Sequence, residues 1–130
     1  MIVVDASVMV ELLLSAGANP RIVGRLLDPG ETIHAPHLLD VEVAHVLRRC
    51  SLAGVIGPRA GEVALADLLD LPVVRHPHTL LLPRIWELRK SISAYDAAYV
   101  ALAEALEAPL LTRDARLARS HGHRARIELV

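Results

Sequence analysis

The stretch Ser91–Ala118, SISAYDAAYVALAEALEAPLLTRDARLA, decides the fold. Ser93 opens a helix with Asp96 in its first turn, and Ala98, Leu102 and Leu106 share one face of it. Pro109-Leu110-Leu111-Thr112 follows as a short apolar strand, of the kind buried on both faces of a parallel sheet. Asp114 lies just past that strand's carboxyl end. Ligands of open α/β sheets bind outside the carboxyl ends of the strands. Asp96 and Asp114 are therefore aimed at one rim.

Outward from this stretch the alternation continues. Ile2-Val3-Val4 reads as a central strand, Asp5-Ala6-Ser7 ends it, and Val8–Leu14 reads as a helix. Asn19-Pro20 is a cap followed by proline at the first helical position, opening a helix from Arg21 to Leu27 that stops at Asp28-Pro29-Gly30. After a strand at Thr32–Ala35, Pro36 opens a periodic helix, His37–Cys50. Its apolar stripe is Leu39, Val43, Val46, Leu47 and Cys50, with Glu42 on the stripe's edge and Arg48 and Arg49 near the end. Gly57-Pro58 breaks the chain before a helix from Arg59 to Leu69, and Val73-Val74 marks a third strand. A helix then runs from His78 to Ser91, in which Pro83 marks either a late start or a kink. Ala115–Ser120 is a short helix and Arg126–Leu129 the last strand. The pattern predicts a single domain over 1–130, a three-layer α/β/α sandwich on a four- or five-stranded, mostly parallel sheet. The strands expected are 2–4, 32–35, 73–75, 109–112 and 126–129.

Composition narrows the function. Hydrophobic residues make up 53% of the 130, yet there is no Phe, one Trp and two Tyr. The net charge of −1 makes no whole-molecule case for nucleic acid, so any such case rests on local clusters of the thirteen arginines. The one lysine is Lys90. Cys50 is the one cysteine, which excludes an intramolecular disulfide and suits a reducing cytosol. The apolar run from Met1 to Ala18 lacks a basic start and is interrupted by Asp5 and Glu11, unlike a signal peptide. No stretch is apolar for long enough to span a membrane. The expectation is a cytoplasmic protein.

Four acids converge on the predicted rim: Asp5 and Asp114 at strand ends, Glu42 and Asp96 in the first halves of their helices. Each has a structural alternative. Asp5 and Asp114 can cap the helices after them, Ser93-Ala-Tyr-Asp96 matches a capping box, and Glu42 can form a helix-flank salt bridge. Together they suggest more, because clustered carboxylates repel unless a cation neutralises them. An all-oxygen set selects Mg²⁺ or Mn²⁺ over zinc. Such an ion can hold a phosphodiester and activate water on it. Ser7 and Thr112 lie beside the proposed site, where they either orient a ligand or cap. Neither a GxxxxGK[ST] loop nor a GxGxxG loop is present. The seven histidines, three close pairs among them, show no zinc-site spacing.

Four segments carry a resemblance. They are D-A-S after the first strand, P-x-L-L-x-x-E (Pro36, Leu38, Leu39, Glu42), S-A-Y-D-A-A-Y-V-A-L-A at Ser93–Ala103, and L-T-R-D at Leu111–Asp114. This order resembles the PIN-domain ribonucleases over essentially the whole chain, and in length and element order the VapC toxins of bacterial toxin–antitoxin pairs. His45 departs from it, standing where many of those proteins carry Asn. The resemblance implies that Asp5, Glu42, Asp96 and Asp114 form a Mg²⁺ or Mn²⁺ site for RNA phosphodiester cleavage. It also implies a homodimer and a cognate antitoxin that blocks the active-site groove. Arg48, Arg49, Arg84, Arg89 and Arg113 are candidate RNA contacts. Two other readings stand beside this one. A catalytically silent PIN-like RNA-binding or scaffold module would typically have lost some of the acids. A receiver-like signalling domain would need a lysine near the last strands, whereas Lys90 precedes the Asp96 helix.

Overall fold

The structure, a computed structural model, describes residues 1–15 and 19–130. The end of the apolar run discussed above, residues 16–18, lies outside the described residues. Five strands, β1 (Ile2–Val4), β2 (Ile33–Pro36), β3 (Val73–His76), β4 (Leu110–Thr112) and β5 (Ile127–Leu129), form one sheet in the order β3-β2-β1-β4-β5. Every pairing is parallel, with Ile2 opposite Ile33, Val3 opposite Leu110, Ile33 opposite Val73 and Leu110 opposite Ile127. Ile2, Val3 and Val4 are fully buried, as a β-branched run with both faces covered should be.

The chain builds outward from β1 to β3, then crosses to the other side for β4 and β5. The strand order therefore reverses between β1 and β4, and the crevice at their carboxyl ends is where such sheets take ligands. Seven helices accompany the sheet among the described residues: α1 (Ala6–Leu14), α2 (Pro20–Leu26), α3 (Leu38–Leu52), α4 (Pro58–Asp70), α5 (Leu82–Glu87), α6 (Ala94–Leu106) and α7 (Ala115–Ala118). α1 packs on α3 and α4, while α6 packs on α5 and crosses β1, β2 and β4. Helices thus cover both faces of the sheet, and the architecture is the expected three-layer sandwich. None is long and apolar enough to cross a membrane among the described residues.

Prolines account for several departures from the expected boundaries. Pro36 ends β2 instead of opening the helix, and the His37 amide donates to the His76 carbonyl before α3 starts at Leu38. Pro109 accepts from the Val3 amide but has no N–H of its own, so β4 starts one residue later. The segment from His78 to Ser91 is not one helix. It is a 3₁₀ turn (Thr79–Leu81), the single α5, and another 3₁₀ turn (Leu88–Lys90). Pro83 sits in the first turn of α5, where no donor is required, so the late start is the correct alternative. α6 is buried beyond one stripe, from Ala97 through Ala103. Its alanines let it lie close on the sheet, which fixes Asp96 at the rim.

Candidate active site

Asp5 leaves β1 at its carboxyl end and caps α1 by accepting from the Val8 amide at 3.1 Å. The capping role and the rim position are one geometry. The same Oδ1 accepts from the Ser7 hydroxyl at 2.6 Å, and Oδ2 accepts from the Thr112 hydroxyl. Burial pushes the Asp5 carboxyl above its usual range, and the Ser7 and Thr112 hydroxyls with the Val8 and Ser7 amides only partly offset it.

Ser7 and Thr112 join this acid to the β4 end. Ser7 Oγ accepts from the Arg113 amide at 2.9 Å, and Thr112 Oγ1 accepts from the Asp114 amide at 2.9 Å. Thr112 is fully buried, so its hydroxyl has no competing water. Asp114 caps α7 through the Arg116 and Leu117 amides, and the Arg116 guanidinium stands 3.3 Å from its Oδ2. Burial works upward on Asp114, but the Arg116 amide, the Arg116 side chain and the Leu117 amide outweigh it and hold this carboxyl below the usual range.

Glu42, one turn into α3, accepts from the Tyr99 hydroxyl of α6 at 2.8 Å. Burial raises its carboxyl despite that bond, and the charges of Asp96 and Asp5 raise it further. Asp96 lies in the first turn of α6, whose cap Ser93 accepts from the Asp96 amide at 3.1 Å. Its carboxyl is also raised by burial, with Asp114 and Asp5 adding to it against Ser93 and Arg116. The four acids thus share one electrostatic neighbourhood, and three of the four are held above the ordinary carboxylate range. Asp96 and Asp114 line a pocket of about 440 Å³, while Glu42 lines an apolar groove with His45, Arg49 and Tyr95.

The chemistry of this donor set fits a hard divalent cation. Every candidate ligand is a carboxylate oxygen, and the raised carboxyls are groups that a bound cation would relieve. Among the described residues no three acids, histidines or cysteines lie close enough together to grip one ion, so binding requires the carboxylates to draw together. The histidines pair differently from their sequence neighbours: His34 Nδ1 meets His76 Nε2 at 2.9 Å across β2 and β3, with the rings stacked.

The arginines divide. Arg113 lies between Thr112 and Asp114, with its guanidinium 2.7 Å from Glu11, and Arg49 lines the groove beside Glu42. Arg48 is exposed on α3. Arg89 lies over the Trp86 ring, 4.8 Å from its centroid. Arg84 is committed elsewhere: its Nε and Nη2 donate side by side to Glu104, at 2.8 and 3.0 Å, and its Nη1 donates to Glu87 at 2.8 Å. Two residues of the site were not anticipated. Tyr99 reads as core from its helical spacing, and nothing in the sequence reports its bond to Glu42. Arg116 was detectable, being two residues beyond Asp114.

The sequence profile of the PIN domain matches residues 2–121, and the chain belongs to the PIN-domain family. Within it the chain is similar to ribonuclease VapC12 of Mycobacterium tuberculosis, 47% identical over 130 residues that cover all of this chain and 99% of the relative. It is also similar to ribonuclease VapC1 of the same organism, 44% identical over 98% of this chain and 96% of that one. Among solved structures, VapBC2 from Rickettsia felis, bound to a DNA fragment from its promoter, shares the fold. That match has a TM-score of 0.71 at 15% identity and covers 99% of this chain and 98% of the other.

Proposed function

We propose that this chain is a divalent-metal-dependent endoribonuclease and the toxin of a toxin–antitoxin pair. The observation that carries the reading is that Asp5, Glu42, Asp96 and Asp114 lie within one another's electrostatic influence in a PIN fold, with three of the four carboxyls pushed upward by burial. Near full-length similarity to proteins named VapC ribonucleases supports the substrate class. Asp5, Glu42, Asp96 and Asp114 would hold Mg²⁺ or Mn²⁺. When bound, the ion supplies charge neutralisation at the phosphodiester and a more acidic water. The protein's own part is placement. Ser7 and Thr112 fix both oxygens of Asp5, Tyr99 fixes Glu42, and the exposed Arg48, Arg49 and Arg113 are the cations we assign to RNA phosphates. The proposal includes a homodimer in the cytoplasm, held inactive by an antitoxin. The solved VapBC2 pair supports a partner of that kind.

The test is cleavage of a mixed cellular RNA pool by purified, partner-free protein in Mg²⁺, in Mn²⁺ and in EDTA, beside Asp96→Asn. Metal-dependent cutting that disappears in the variant is expected. Cutting that persists in EDTA or in the variant would place the activity elsewhere. A folded protein that cuts under no condition would sink the nuclease reading in favour of a silent binding module.

A further inference from the structure

The pocket lined by Asp96 and Asp114 is also lined by His121, a group for which the acids give no role. Its imidazole is exposed and makes no hydrogen bond among the described residues, yet the backbone that carries it is fastened at several points. The Ser120 hydroxyl donates to the Leu117 carbonyl at 2.6 Å and so accepts from His123 Nε2 at 3.0 Å. The Arg124 amide donates to Glu104 at 2.7 Å, and Glu104 is itself clamped by Arg84. Gly122 adopts φ +86°, and a Cβ there would lie 2.8 Å from Ser91 Oγ. The turn approaches the Ser91–Ser93 segment closely because residue 122 has no side chain. The turn thus holds the backbone of His121 in place and leaves its imidazole available to a group outside the chain.

We infer that His121 is a substrate-contacting residue: its imidazole hydrogen-bonds the nucleotide that occupies this pocket, next to the phosphodiester cut at the acids. The inference rests on the ribonuclease reading. The chemistry of the wall suits a nucleotide. Arg116, with 85% of its side chain exposed, brings a guanidinium that can turn from Asp114 to a phosphate, and Ser91 and Ser93 offer hydroxyls. Among the described residues no Phe, Tyr or Trp lines it, so hydrogen bonds and charge, the His121 imidazole among them, are what the wall offers a nucleotide.

The experiment compares steady-state cleavage of one RNA by the parent protein, His121→Ala and His121→Asn. In parallel, a cleavage-resistant phosphorothioate RNA is titrated onto Asp96→Asn protein with and without His121→Ala. Loss of one hydrogen bond to a charged or polar substrate group raises KM about tenfold in His121→Ala and weakens the phosphorothioate RNA by a similar factor, with kcat within about twofold. His121→Asn, which keeps a hydrogen-bonding group, restores most of the affinity. Thermal midpoints stay together because the side chain is exposed. Unchanged KM and unchanged RNA affinity in a folded His121→Ala protein overturn the inference, as does a loss confined to kcat. A parent protein that does not cut RNA overturns both readings, whereas a parent that cuts beside an unaffected variant overturns this one alone.

Discussion

The Tyr99 hydroxyl donates a 2.8 Å hydrogen bond to Glu42 from a position 57 residues away in sequence. Tyr99 is 1% exposed, and burial and the Glu42 charge both push its own ionisation out of reach, so it acts only as a donor. It ties the first turns of α3 to α6 and restrains the one acid that does not follow a strand or open a helix. Tyr99→Phe keeps the packing and leaves Glu42 short of a partner. It should cost about 1–2 kcal/mol by denaturant titration, the range for a part-buried acceptor to a charged group. Because the bond holds the Glu42 carboxyl down, its loss raises that carboxyl further. Cleavage by Tyr99→Phe should then need several-fold more Mg²⁺ at neutral pH, read from metal titrations of the rate. An unchanged metal requirement would show that Glu42 does not depend on this bond.

The acid cluster sets a pH dependence of opposite sign to that of an ordinary carboxylate pair. Burial, then the Asp114 and Asp5 charges, raise the Asp96 carboxyl in the folded state. The folded protein therefore holds this proton more tightly than the unfolded chain does. Its stabilising effect is complete below the unfolded value and is lost as pH rises through the folded one. In EDTA, Asp96→Asn should thus be more stable than the parent above that window, by about 1 kcal/mol for a solvent-screened group. The two should converge at acid pH, and saturating Mg²⁺ should stabilise the parent but not the variant. Thermal melts across pH, with and without metal, decide it. A variant less stable than the parent at pH 8 in EDTA would mean that Asp96 is not electrostatically strained.

Arg84 belongs to structure by its contacts. Its partner Glu104 has a side chain 5% exposed, and Glu104 also accepts from the Arg124 amide. The Arg84 hydrogen bond, against opposing burial and with the Arg124 amide, holds the Glu104 carboxyl below its usual range. That contribution is present above the unfolded value and is lost as pH falls through the folded one. Arg84→Ala should cost about 2–3 kcal/mol, mostly from leaving Glu104 unpaired. Glu104→Gln should flatten the acid limb of the stability curve. Arg84→Ala should leave the salt dependence of RNA affinity unchanged, whereas Arg49→Ala should reduce its slope. A reduced slope for Arg84→Ala would return that residue to the RNA surface.

Much of this was legible in the residues because local signals agreed with the global fold. Ile2-Val3-Val4 and Leu110-Leu111-Thr112 are buried strands whose ends deliver Asp5 and Asp114, and strand periodicity with a following cap is enough to find both. Capping and a place at the rim do not compete, since the cap geometry is what places the two carboxylates there. Less was legible where distance in sequence decides the contact. The pairing of Tyr99 with Glu42, and the diversion of Arg84 to Glu104, are set by how α3, α5 and α6 meet and leave no periodic trace. The segment around Pro83 misled for another reason. Its apolar spacing fits one long helix, but the proline sets the start of α5, whose six residues lie between two 3₁₀ turns.

Thr112 offers the most economical probe of how the acids are held. Its buried hydroxyl donates a hydrogen bond to Asp5 Oδ2 and accepts one from the Asp114 amide, so one oxygen positions the acids of both strands beside the switch point. Thr112→Val preserves the shape and removes both bonds. The Asp114 amide is left without its acceptor, and Asp5 loses one of the contacts that hold its carboxyl down, so both stability and metal binding should suffer. A stability loss of about 1–3 kcal/mol follows from the unsatisfied buried groups. A drop of roughly 10- to 100-fold in metal affinity or cleavage rate is the usual consequence of removing a group that orients a ligand. Thr112→Ser, which keeps the oxygen, separates the two effects: it should retain most of the activity while losing stability through the missing methyl. If Thr112→Ser were as inactive as Thr112→Val, packing of the methyl and not the hydroxyl bridge would be what keeps Asp5 and Asp114 in register.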